Sequence, residues 1–241
     1  MSEKVTRTYE RFPLARRIEH LVMLLSFTTL ALTGLPQKFP GASLSIAFVY
    51  ILGGIENLRK IHHFAAIVLM LGTAWHILVF GYLGYVRRTR FTMLPSLQDL
   101  KDAWQAFMYN IGRAKTPPQM GRYTFEEKME YWAFVWGTII MGATGLVVWF
   151  KVAFTLFLPR WIVDVAVTIH YYEAILACLA IVVWHFYHVI FDPDVYPLNW
   201  ACWKGKVSEH WQQEEHPLDN PARVKGLQAE STEDMEAPLP H

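Results

Sequence analysis

Apolar runs long enough to cross a lipid bilayer recur four times along this chain of 241 residues, over roughly Ile18–Pro36, Ile61–Val86, Tyr131–Phe150 and Val165–Phe191. A helix needs about 20 such residues to cross the hydrocarbon core. The pattern therefore predicts an all-α membrane protein, a four-helix transmembrane bundle whose span interiors are free of proline. A fifth run, Ala42–Ile55, holds only about 14 residues, too few to span, and is expected to be an interfacial or re-entrant piece joining the first two helices. Between the second and third spans, "LPSLQDLKDAWQAFMYNIG" sets Leu97, Leu100, Trp104, Phe107 and Met108 at helical spacing behind Ser96, an expected N-cap. This amphipathic segment is expected to lie along the cytoplasmic surface, and Pro117-Pro118 ends it.

Composition agrees with the pattern: 53% of residues are hydrophobic and 15% aromatic, too many for an ordinary soluble domain. A net charge of +1 gives no reason to expect nucleic acid as a partner. The distribution of charge says more. Lys4, Arg7, Arg11, Arg16 and Arg17 precede the first span, eight basic residues lie between the second and third, and four follow the last, whereas only Lys38, Arg59, Lys60, Lys151 and Arg160 lie on the other side. By the positive-inside rule both termini are cytoplasmic, in a bacterial inner-membrane protein. Tyr82, Tyr131, Trp132, Trp149 and Trp161 suit interfacial belts. The expected organisation is a cytoplasmic segment at 1–16, the membrane domain at 17–195 with a cytoplasmic loop at 87–128, and a cytoplasmic tail at 196–241 that from about Glu209 onward is expected to be disordered or to order only on a partner. The basic N-terminus precedes a span-length apolar run with no small-residue cleavage site, so the first helix is read as retained. Cys178 and Cys202 form neither a disulfide framework nor a covalent haem-attachment motif. The chain shows no internal repeat and no phosphate-binding loop.

Seven histidines lie in or at the ends of the spans: His20 in the first, His62, His63 and His76 in the second, His170, His185 and His188 in the fourth. Ionisable groups within a bilayer are rare and usually face a bundle interior. At about 100° and 1.5 Å per residue, His62 and His76 fall about 40° apart around their helix and about 21 Å apart along it, and His170 and His185 about 60° and 22 Å. Two helices thus each present an imidazole near either membrane surface. Bis-histidine haem b needs this arrangement, with an axial nitrogen on each face of a flat macrocycle supplied by facing helices. Gly72, Gly137, Gly142 and Gly145 are small enough to admit a macrocycle close to the backbone. A zinc site is disfavoured, since no three or four of these side chains cluster at one depth. A proton relay and purely structural histidines are the other readings.

The chain also resembles the cytochrome b subunits of formate dehydrogenases and nickel–iron hydrogenases, b561-like proteins, over about residues 10 to 195. The stretches that carry the resemblance are "RRIEHLVMLLSFTTLALTGLP", "LRKIHHFAA", "YTFEEKMEYWAFVWGTIIMGATGLVVWF" and "IHYYEAILACLAIVVWHFYHVIF". It implies two haems, one on His62 with His170 on the periplasmic side and one on His20 with His185 on the cytoplasmic side. Three departures stand out. His76 has no counterpart, the fourth-helix spacing is one residue longer and calls for a π-bulge, and the loop that forms the family's quinone pocket reads Tyr123-Thr124-Phe125-Glu126-Glu127-Lys128, retaining only Tyr123 and Lys128 of the pattern.

The expected function is that of an integral-membrane dihaem cytochrome b subunit, passing electrons between a periplasmic iron–sulfur or multihaem c-type protein and the quinone pool within a hetero-oligomeric oxidoreductase complex. Its iron ligands are drawn from His20, His62, His76, His170 and His185, with His63 and His188 as alternates, and Tyr123 and Lys128 are the quinone-site candidates. His76 competes with His20 as the partner of His185; if His76–His185 and His20–His188 both form, there are three haems. A haem-bearing membrane anchor without its own quinone site is the alternative function.

Overall fold

The computed structural model describes residues 8–89 and 91–219. The chain divides into two compact units, one of residues 12–89 and 132–203, the other of 1–11, 90–131 and 204–241.

The first unit carries the bulk of the long apolar helices. Helix α1, Leu14–Lys38, starts where Pro13 holds an extended backbone. It runs two residues past Pro36, so this proline stands inside the observed helix rather than at its end; in the last turn it costs only one backbone bond. Helix α2, Ser43–Ile51, is nine residues long, as a non-spanning connector must be. Gly53 and Gly54, at φ +77° and +109°, then turn the chain through a region closed to other residues. Helix α3, Ile55–Tyr85, begins six residues ahead of the apolar run because Glu56, Asn57, Arg59 and Lys60 form a polar first turn and a half. Its 31 residues span about 46 Å, more than the roughly 30 Å hydrocarbon core requires.

Helix α5, Phe125–Trp149, opens in the second unit and continues through the first. After the short α6, Lys151–Phe154, comes α7, Arg160–Leu179, extended by π-helical turns over Ala180–His185 and Tyr187–Phe191. Four helices, Leu14–Lys38, Ile55–Tyr85, Phe125–Trp149 and Arg160–Phe191, are long and apolar enough to cross a membrane. Their outward faces are apolar: Leu25, Phe64, Leu71, Leu78, Trp136, Leu176 and Val183 are exposed. Hydroxyls on these helices give their proton to the carbonyl one turn back, Ser26 to Val22 at 2.7 Å and Thr73 to Leu69 at 2.9 Å, which satisfies them where water is scarce.

The second unit is held by charge. Strand β1, Thr8–Glu10, pairs antiparallel with β2, Lys206–Ser208. The Arg11 side chain, 2% exposed, donates to both carboxylate oxygens of Glu127 at 3.0 and 3.1 Å and to the Arg122 carbonyl at 2.6 Å. Helix α4, Leu97–Asn110, is capped by Ser96 and Asp99 in a reciprocal box, and its Leu97, Leu100, Trp104 and Phe107 are exposed. Beyond α8, Ala201–Lys204, the chain keeps fixed structure from Glu209 to Asp219, where disorder or order only on a partner was expected. Helix α9, Glu209–Glu215, is capped by the Ser208 hydroxyl, and buried His216 bonds the Gly121 carbonyl at 2.7 Å. That anchor, supplied by the loop, is what the polar sequence of the tail lacks by itself. The remainder of the tail, 220–241, lies outside the described residues, as do residues 1–7.

Candidate functional site

Helices α1, α3, α5 and α7 bring the histidines together in two sets. In one, the rings of His20 on α1 and His185 at the end of the first π turn approach with centres 6.4 Å apart and planes tilted by 44°. A metal–imidazole bond is about 2 Å long, so two imidazoles on opposite sides of one metal hold facing nitrogens about 4 Å apart, with each ring centre a ring radius farther out. The observed separation fits a bis-histidine haem iron.

The π turns explain how His185 reaches this position. A turn closed from i to i+5 consumes one residue more for nearly the same rotation. The 15 residues from His170 to His185 then behave as about 14, bringing the two rings from about 60° to about 40° of a common face. The spacing departure and its expected remedy are both visible in the helix.

The other set joins His62 of α3 to His170 of α7, near enough for their charges to interact. Each ring rests on a Thr-Gly pair from a neighbouring helix. The Thr33 hydroxyl lies 2.9 Å from His62 Nδ1, and a Cβ on Gly34 would come within 3.2 Å of His62 Cε1. The Thr144 hydroxyl lies 3.1 Å from His170 Nδ1, and a Cβ on Gly145 would come within 3.1 Å of His170 Cε1. Thr33 is 13 residues from His20, so the two sets are separated by about 20 Å along α1. Helix pairs α1–α3 and α5–α7 thus use one local device twice. Its trace in the sequence is only a three-residue identity, Thr33-Gly34-Leu35 and Thr144-Gly145-Leu146, too short to register as a repeat.

The remaining candidates have other partners. His63 stacks on Trp149, ring centres 4.0 Å apart and planes 15° apart. His188 sits edge-on to Trp184 and Tyr187. His76 Nδ1 is 3.1 Å from Glu19 Oε2 and 3.2 Å from Arg16 Nη1, and Arg16 also binds Glu19 at 2.7 Å. This cluster stands one residue from His20. Near the other end, Gly137 leaves room for the Glu173 carboxylate, 3.2 Å from where its Cβ would be, and Lys38 lies over Tyr171 and Tyr172.

In the second unit, Lys128 Nζ donates to Asp99 Oδ1 at 2.7 Å, and Arg11 lies over the Tyr123 ring. Burial raises the Asp99 carboxyl, but the Lys128 ammonium and the Ser96 hydrogen bonds outweigh it and hold the group below its ordinary range. Burial, with the nearby Arg11 charge, pushes His216 below its ordinary value. Among the described residues no group of three or more histidine, cysteine or acidic side chains is set to hold a bare metal ion.

The family model for prokaryotic cytochrome b561 matches residues 11–197. The chain is 23% identical over 213 residues to the cytochrome b556(fdo) subunit of formate dehydrogenase from Escherichia coli strain K12, covering 87% of this chain and 90% of that protein. It is 23% identical over 201 residues to the cytochrome b556(Fdn) subunit of the nitrate-inducible formate dehydrogenase of the same strain, covering 82% and 83%. The match to the Shigella flexneri counterpart is of the same extent. The chain belongs to the prokaryotic cytochrome b561 family: it is a transmembrane cytochrome b, an electron-transfer protein that works with haem b.

Proposed function

We propose that this chain is the dihaem membrane subunit of a larger oxidoreductase, holding one haem b between His62 and His170 and a second between His20 and His185. The observation that carries this reading is the 6.4 Å approach of the His20 and His185 ring centres, together with the matched Thr-Gly supports of His62 and His170 about 20 Å away along α1. Bound in such a pair, haem b supplies a one-electron carrier. His62, His170, His20 and His185 would supply the nitrogens that hold it. Two such sites at opposite depths would form a route across most of the bilayer, and charge moved along it would cross most of the membrane field.

The distribution of basic residues supports an orientation with both termini and the loop at 87–128 in the cytoplasm and the His62–His170 site toward the periplasm. A periplasmic partner of iron–sulfur or multihaem c type then meets that end, and the quinone pool the other. The formate dehydrogenase membership of the similar subunits supports a hetero-oligomeric setting. A pyridine haemochrome assay on the purified chain tests the reading. Two haems per chain is the expected result, and three would bring in His76–His185 with His20–His188. Reporter fusions at Gly41 and Gly112 are expected on opposite sides of the membrane.

A specific observation favours the second reading, a haem-bearing anchor without its own quinone site. The Lys128 ammonium is engaged by Asp99, and the loop retains only Tyr123 and Lys128 of the family's quinone motif. Oxidation of a quinol analogue by the purified chain, abolished by Tyr123→Phe or Lys128→Ala, supports a quinone site here. Haem that no quinol reduces supports the anchor.

A further inference from the structure

We infer that Thr33 and Thr144 are positioning residues that fix the tautomer of His62 and His170, each locking the proton on Nδ1 so that Nε2 is left as the free electron pair. The inference rests on the haem assignment proposed above and goes beyond it, because it names what makes these two imidazoles ligands rather than hydrogen-bond donors at that nitrogen.

A threonine hydroxyl has one proton to give. In Thr33 it is given to the Thr29 carbonyl at 2.6 Å, and in Thr144 to the Ile140 carbonyl at 2.7 Å. What each oxygen still offers is a lone pair, and the group in front of it is a histidine Nδ1, at 2.9 Å from Thr33 and 3.1 Å from Thr144. The imidazole must therefore donate. A neutral imidazole carries one N–H, which leaves Nε2 unprotonated on both rings. The adjacent glycines complete the device, since a Cβ at Gly34 or Gly145 would press on Cε1 of the same ring. Recurrence of the whole arrangement on a second helix pair separates it from an incidental contact.

A ligand histidine that donates its other N–H is held in orientation and is a stronger base, which favours the oxidised iron. Val at either position keeps the shape and removes the acceptor. In the purified full-length protein, Thr33→Val and Thr144→Val are each expected to raise the midpoint potential of one haem, moving its oxidised-to-reduced ratio by up to about tenfold, equivalent to about 59 mV for one electron. The haem on His20 and His185 is expected to stay where it was, and Thr33→Ser, which keeps the hydroxyl, to behave as wild type. Loss of that one haem in Thr33→Val with retention in Thr33→Ser also supports the role. Unmoved potentials, equal movement of both haems, or loss of the haem in Thr33→Ser as well would overturn it. His62→Ala, measured alongside, separates the two levels: retention of both haems there sinks the haem assignment itself, whereas loss of one haem with unmoved potentials in the Val variants sinks only the threonine role.

Discussion

The two histidine pairs hold their rings by different physics. His62 and His170 are braced by neutral groups, a hydroxyl and a glycine from each neighbouring helix, in a stretch where every polar atom must find an internal partner. His20 and His185 depend on helix geometry, a π turn that swings His185 round, and lie beside an ionic cluster of Glu19, Arg16 and His76. One pair is braced by uncharged contacts, the other stands beside an ionic cluster. Paired imidazoles alone do not make equivalent sites; what backs them decides how each responds.

The largest effect is expected from the ligands. His62→Ala or His170→Ala should remove one haem and leave the other, and His20→Ala or His185→Ala should remove the complementary one, read as the haem-to-protein ratio and by redox titration of the survivor. His76→Ala is expected to leave the ratio unchanged, and a drop there would dissolve the comparison, since His76 would then belong to a third site.

Next come the glycines that brace only one pair. Gly34→Ala and Gly145→Ala push a methyl against a ligand ring and are expected to weaken haem retention at His62–His170 by about 1–3 kcal/mol. Gly142→Ala, which meets nothing within 4 Å, should be silent. Equal losses in all three would mean that the glycines serve general helix packing.

A smaller effect is expected from the ionic cluster. Glu19→Gln removes a negative charge one residue from His20, already partly balanced by Arg16, and should shift the oxidised-to-reduced ratio of the His20–His185 haem by about threefold toward the reduced form. Movement of the other haem instead would exchange the roles assigned to the two pairs.

The smallest effect is expected from mild acid, and away from both pairs. His216 sits below its ordinary value of 6.5 when folded, so its contribution to stability is present above 6.5 and is lost as pH falls toward the folded value. Asp99 is also depressed, and its contribution disappears at still lower pH, as the carboxylate is protonated. Hydrogen exchange in β1, β2 and α9 should quicken as pH falls below about 6.5, after correction for the intrinsic rate, and less so in His216→Asn. The haem spectra should not change over this range; a spectral change tracking the exchange would tie the pairs to the charged unit.

The spans were legible because a bilayer demands length and apolarity, both of which are linear properties of a chain. Ser96 was legible as a cap because capping is local. The π-bulge followed from one surplus residue between His170 and His185. The order in the tail was not legible, because Glu209–Glu215 has Trp211 as its one apolar residue and is held by β2, the Ser208 cap and the bond from His216 to the Gly121 carbonyl, a partner 95 residues away. The role of the threonines was equally hidden. Thr in a membrane helix usually bonds its own backbone, and Thr33 and Thr144 do so; nothing in the sequence tells which of several such hydroxyls has a histidine against its remaining lone pair.

Sequence alone determined the class of molecule, the number of spans, and that histidines recur at two depths, because hydropathy and helical pitch are set residue by residue. Tertiary structure alone decided which side chains each imidazole meets, drawing His76 to Glu19 and Arg16, His63 to Trp149 and His20 to His185. Partner choice depends on the rotation of each helix about its axis and on contacts across helices, and a single chain's pattern encodes these only through their sum.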